Sequence, residues 1–209
     1  QPVQARPDPD AHVIADVFKI INDPFVGTPG ARGEIWSIGH RNVQGAAIHP
    51  RTRELWTNEH GPMGGDELNI AQAGRNYGWP VITDGINYDG KPVPGAIGRT
   101  APGMEAPLRS WTPSPALSGM AFHSGRGMPA WHDNLFIGAL AGRRLIRLQL
   151  DGDAVVDEEA LLGDRQERIR DVREGPGGVL YILTDENAGK LIELRPLPAD
   201  DIKAAASDR

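Results

Sequence analysis

The chain has 209 residues, 39% of them hydrophobic and 24% charged, with a formal net charge of −6. That is enough for one domain with its own core, while the acidic balance argues against a nucleic-acid partner, which would need a basic face to meet phosphates. The absence of cysteine excludes disulfides, thiolate metal sites and cysteine nucleophiles, and no run approaches the roughly 18 apolar residues that span a bilayer.

Residues 1–21 match none of the patterns that follow, and the first twelve, QPVQARPDPDAH, lack the basic and apolar regions of a secretory leader. A chain that opens on Gln1 is expected to be a processed product or a piece of a longer polypeptide. From there on, 26 glycines and 18 prolines are spread along the sequence, which favours short strands joined by turns. A strand is expected over EIWSIG, with Arg41-Asn42 on the loop between it and a second strand, GAAIHP.

Three segments then share one plan: an apolar strand, a turn with Pro or Gly, a second strand holding Leu next to an aromatic residue, and a polar loop ending in Gly. They are GAAIHPRTRELWTNEHG, GMAFHSGRGMPAWHDNLFIGALAG and DVREGPGGVLYILTDENAG, with the pairs Leu55-Trp56, Leu135-Phe136 and Leu180-Tyr181. Leu135 and Leu180 are 45 residues apart, and a period of roughly 40–50 residues built from four short strands is that of a β-propeller blade. Leu55 and Leu135 are 80 residues apart, so the first unit is expected to carry an insertion over about residues 83–112. The expected fold is all-β, with a partial propeller of about three blades over 22–198 and a polar tail over 199–209.

Several residues point to chemistry. The turn from Glu59 to Glu67 offers carboxylates and glycine-freed carbonyls, the hard oxygen set that calcium takes, without the spacing of an EF-hand. Arg168-Ile169-Arg170 puts two guanidiniums on one face of a strand with Ile169 on the other, so an anion should lie across them. That anion is either a ligand or a local acid, with Asp164, Glu167, Asp171 and Glu174 the candidates. The six histidines form no metal-binding spacing. The five tryptophans read as blade packing, although Trp79 and Trp111 flank the long loop and suit substrate stacking equally.

Residues 39–80 carry Gly39-His-Arg-Asn42, Glu59-His-Gly-Pro62, Gly64-Gly-Asp-Glu-Leu-Asn69 and Asn76-Tyr-Gly-Trp-Pro80. In these motifs, their order and their gaps the chain resembles the soluble aldose sugar dehydrogenases that depend on pyrroloquinoline quinone (PQQ), the glucose/sorbosone dehydrogenase family. The resemblance implies a six-bladed propeller, of which this chain matches the C-terminal half. It implies PQQ contacts at Arg41, Asn42, Tyr88, Ala139, Leu140, Ala141, Arg168, Ile169 and Arg170. For calcium it implies Glu67 and the main chain of Tyr77 at a structural ion, and the carbonyls of Gly61 and Pro62 at an ion that polarises the quinone. Arginines suit PQQ because it is a tricarboxylate whose oxygens gain electron density on reduction.

The family's catalytic base is a histidine for which this chain has no counterpart, so no catalytic residue is assigned and the chain alone is expected to be inactive. In the intact enzyme an aldose is oxidised to a lactone or acid and an external acceptor reoxidises the cofactor. A periplasmic or secreted location follows from the same resemblance. Open blade edges are expected to promote self-association. Two other readings use the same fold. One is a calcium-dependent lactonase-type hydrolase, which needs Glu, Asn and Asp on the channel axis where this chain offers arginines. The other is a propeller that binds a protein or glycan without catalysis.

Overall fold

Each run of alternating apolar residues finds its partner in the next one along the chain, so the structure is a series of antiparallel meanders. The computed structural model describes residues 24–196. Sheet 1 runs β1 (Val43–Ile48), β2 (Leu55–Glu59), β3 (Asp66–Ile70), β4 (Arg109–Trp111), in that spatial order. Sheet 2 follows as β5 (Leu117–Phe122), β6 (Leu135–Ala139), β7 (Arg144–Asp151), β8 (Ala154–Leu161), and sheet 3 as β9 (Ile169–Glu174), β10 (Leu180–Thr184), β11 (Leu191–Leu194). The all-β class and the three repeating units therefore hold, and among the described residues no helix is long and apolar enough to cross a membrane. The segment 1–21 and the tail 199–209 lie outside the described residues.

The Leu-aromatic repeat has a packing cause. Successive side chains of a strand point to opposite faces. In β6, Leu135 and Ile137 join the core against sheet 1, whereas Phe136 joins the core against sheet 3. Every residue of β6 is buried, because sheet 2 is covered on both sides. Trp56 of β2 likewise faces sheet 2, and Leu180 of β10 faces back toward it. Leucine thus packs on the preceding unit and the aromatic on the following one. Tyr181, which has no described unit beyond it, is only half-buried.

The first strands of the three sheets lie side by side, β5 against both β1 and β9. Side chains rivet them together. Asn58 Nδ2 donates to Ser118 O at 2.8 Å, and Ser118 Oγ donates to Ile169 O at 2.7 Å. At the opposite end His49 packs edge-on to Phe122, and His123 Nε2 donates to Gly178 O at 2.8 Å. Backbones approach closely where the first strands carry glycine: a Cβ at Gly119 would overlap the Asp171 carboxylate. Gly119→Ala should therefore cost about 1–3 kcal/mol by overpacking, whereas Gly163→Ala, with open space around it, should leave stability nearly unchanged. Equal denaturation midpoints for the two variants would contradict this packing.

Two expectations are corrected. EIWSIG is not a strand of the sheet. Its backbone pairs with the loop 74–79 instead, through Ile38 N to Arg75 O and Tyr77 N to Ile38 O, and the Trp36 indole is held by Ala71 O at 2.8 Å. The long insertion does belong to the first unit, as expected, but it is shorter than expected at its C-terminal end. It lies within sheet 1 between β3 and β4, and its expected C-terminal end, Arg109–Trp111, is the fourth strand.

Candidate functional site

Register decides where the candidate residues gather. Val43 pairs with Glu59, Leu117 with Ala139, and Ile169 with Thr184, so in each sheet the start of the first strand meets the end of the second. The bonds from Asn58 to Ser118 and from Ser118 to Ile169 set these three ends side by side. The Arg41-Asn42 turn, the Ala139–Ala141 segment and the Arg168–Arg170 segment therefore share one edge of the molecule, although distant in sequence.

At sheet 1 this edge is organised by Glu59, the last residue of β2, which is 3% exposed. Its carboxylate accepts from the Arg41 amide at 2.6 Å, the Asn42 amide at 3.4 Å, His40 Nδ1 at 3.0 Å and Asn69 Nδ2 at 3.2 Å. Burial opposes its charge, but the bonds from His40, Arg41 and Asn42 outweigh that and hold its carboxyl below the usual range. His40 also meets Ser37 Oγ at 2.8 Å and stacks on the Tyr77 ring at 4.6 Å. The Arg41 guanidinium donates to His60 O at 3.0 Å and lies 5.2 Å over the Trp79 ring. Arg41, Glu59, Gly61, Glu67 and Trp79 line one small cavity.

The turn between β2 and β3 forms the cavity wall. Asp66, fully buried, accepts from the Gly61 amide and the Leu117 amide, each at 3.1 Å, and so ties the turn to β5. Gly64 and Gly65 have φ of +87° and +73°, and a Cβ on Gly65 would meet Gly85 N, so glycine is required there. Gly61 and Pro62 are buried in this turn. With Glu59 and Asp66 committed to backbone amides, Glu67 is the carboxylate left over. Burial raises its pKa to about 7, against the Asn69 hydrogen bond, with repulsion from Glu59, Asp84 and Asp66 adding to the rise. Asn69 Oδ1, beside it, is buried without a partner. Tyr77 is buried nearby, its hydroxyl on Ile70 O and the Gln72 amide. Among the described residues no three acidic or histidine side chains are grouped to hold a metal, so a cation here needs main-chain and amide oxygens.

At sheet 3, Ile169 is buried in the core and Arg168 and Arg170 face the same carboxylate, as alternation requires. The acid is none of the four near neighbours expected. It is Asp185, just after β10, whose Oδ2 accepts from Arg168 at 2.7 Å and Arg170 at 3.0 Å. These two bonds hold the Asp185 carboxyl below its usual range. The Arg168 amide is pinned by Glu186 at 3.0 Å, as Glu59 pins Arg41. Between the two arginine sites, Ala139 and Leu140 turn their side chains into the protein and only Ala141 is exposed, so contacts from this segment would come from backbone. Tyr88 is 72% exposed on the long loop and stands outside the cavity.

Of the described histidines, His60 lines the cavity but donates Nε2 to Leu117 O at 2.5 Å, while His49 and His123 accept turn amides at the far end. Trp111 is buried with its indole on Glu158, whereas Trp79 is at the cavity, which separates the two roles left open for them. Three site residues go beyond those the sequence points to: Asp66, Asp185 and Thr83, the last of which also lines the cavity. Asp66 lies inside the Gly-Gly-Asp-Glu motif and was legible as a cap of the glycine turn, whereas Asp185 depends on strand register.

The model of the family described as Glucose / Sorbosone dehydrogenase matches residues 13–193. The aldose sugar dehydrogenase YliI of Escherichia coli (strain K12) is 51% identical over 175 residues, covering 84% of this chain and 47% of that protein. A crystal structure of glucose dehydrogenase superposes with a TM-score of 0.83 at 58% identity, over 84% of this chain and 51% of that one. The PQQ-bound aldose sugar dehydrogenase of Streptomyces coelicolor superposes with a TM-score of 0.61 at 29% identity, over 83% of this chain and 48% of that one. The chain spans about half the length of the relatives it matches.

Proposed function

Because the chain belongs to the glucose/sorbosone dehydrogenase family, we propose that it forms part of a PQQ- and calcium-dependent dehydrogenase that oxidises aldoses to lactones or acids and passes the electrons to an external acceptor. Its three sheets would be three blades of a closed ring of six, spanning 22–198, in a periplasmic or secreted protein. The observation that supports this reading is the shared edge, where Arg41 at sheet 1 and the Arg168/Arg170 pair at sheet 3 lie at the same end of side-by-side first strands.

The residues present fit both groups. Arg168 and Arg170 share a single carboxylate oxygen of Asp185, which leaves positive charge for a further anion such as a cofactor carboxylate. Glu67 is a crowded carboxylate without a cation partner, next to the unpartnered Asn69 Oδ1, and a divalent cation would relieve it. PQQ, when bound, supplies the quinone that takes up the sugar's two electrons. Arg41, Asn42, Arg168 and Arg170 would bind it and favour the charge it gains. The carbonyls of Gly61 and Pro62 would hold a cation against it, Glu67 and the Tyr77 main chain a structural cation, and Tyr88 and the backbone of Ala139–Ala141 with Ile169 would complete the wall.

The intact protein loaded with PQQ should show a quinone absorbance that bleaches on adding an aldose. A protein that takes up no PQQ, or whose absorbance no aldose changes, contradicts the reading.

Calcium is tested separately through Glu67. In chelator the folded protein keeps the Glu67 proton up to about pH 7, whereas the unfolded chain loses it near 4.5. The folded state thus binds more protons in this window, and stability should fall as pH rises through it, by at most on the order of 3 kcal/mol. Glu67→Gln should flatten that slope. Calcium should remove it and add about 2.7 kcal/mol at a hundredfold excess over Kd. Melting curves that ignore calcium, pH and the substitution alike would exclude this site.

A further inference from the structure

The surroundings of Glu59 are unusual for a carboxylate at the edge of a sheet. It is 3% exposed, and among the described residues no lysine or arginine side chain pairs with it. Its oxygens are instead committed to the turn before β1, Oε2 to the Arg41 and Asn42 amides and Oε1 to His40. His40 is itself braced by Ser37 and by the Tyr77 ring. Fixing three consecutive residues from one buried carboxylate fixes the direction in which the Arg41 side chain leaves the backbone. That direction carries the guanidinium to His60 O and over Trp79, on the cavity wall.

We propose that Glu59 is a positioning residue: it locks the His40–Asn42 turn so that Arg41 and Asn42 are held ready to receive the cofactor. The inference rests on the reading of Arg41 as a cofactor contact. A preorganised arginine loses less freedom on binding than one that must be ordered, so the lock acts on affinity through Arg41 without touching the ligand.

Amide hydrogen exchange on the 209-residue chain reads the lock directly. Glu59→Ala should speed exchange at Arg41 by about tenfold or more and leave the amides of β6 unchanged. Glu59→Gln, which keeps an acceptor, should restore much of the protection. No change at Arg41, or an equal acceleration throughout the sheets, would overturn the proposal. The second arm measures PQQ affinity in the intact protein. Glu59→Ala should weaken binding in the wild-type background and add almost nothing in an Arg41→Ala background, because the two residues act as one unit. Additive losses would overturn the positioning role alone. An Arg41→Ala variant with wild-type affinity would overturn the cofactor reading beneath it.

Discussion

Purified 209-residue chain, supplied with PQQ, calcium, glucose and a dye acceptor, should show no measurable sugar-dependent dye reduction and should behave as more than one copy in solution. Oxidation of an aldose at C1 needs a base for the hydroxyl proton, and general-base catalysis is typically worth 10²–10⁴-fold. His60 at the cavity already donates Nε2 to Leu117 O, His40 is engaged by Glu59 and Ser37, and His49 and His123 lie at the opposite end of the sheets. The chain also spans about half of its relatives' length, so in isolation its cofactor edge would be a partial pocket. Association follows from the outer face of sheet 3, where Leu183 and Leu191 pair across β10 and β11 and are 46% and 62% exposed. Dye reduction that depends on glucose, from a species of monomer mass by light scattering, would contradict both halves of this expectation.

Replacing Arg168 or Arg170 should weaken PQQ by about tenfold or more in the intact protein, since each charged hydrogen bond contributes roughly 1.5–3 kcal/mol. The structure sharpens this expectation. Both guanidiniums are held side by side by Asp185, so loss of either leaves that acid facing the ligand with less positive charge to offset it. Ile169 between them anchors the strand in the core, and the arginines themselves contribute little to it. Melting temperatures should therefore change little while absorbance titrations shift. Unchanged affinity with a lowered melting temperature would make the two residues structural partners of Asp185 and nothing more.

The sequence showed the repeat because its cause is local: one leucine and one aromatic per second strand, each facing a different neighbouring sheet. Arg41, Glu67 and the glycine turn were legible because they stand within short motifs. EIWSIG misled because its alternation suits any extended segment, and its hydrogen bonds go to the loop 74–79 instead of the sheet. Arg109–Trp111 was hidden at the end of an insertion, too short at three residues to show a pattern. Asp185 was illegible for another reason. It meets Arg168 only because Thr184 pairs with Ile169 across a register shift in β10, and no spacing rule in one dimension reveals such a pairing. Glu59 looked like one acid among several in a polar turn, and only its burial and its bonds to the Arg41 and Asn42 amides distinguish it from Glu67.

A crystal structure of the intact protein grown with PQQ and calcium tests most directly whether the three sheet ends build one cofactor edge. Such crystals should hold a planar tricarboxylate with oxygens against Arg41, Arg168 and Arg170, and a cation on the carbonyls of Gly61 and Pro62. PQQ bound elsewhere, with Arg168 and Arg170 still closed on Asp185 and the Arg41 cavity filled by solvent alone, would contradict it.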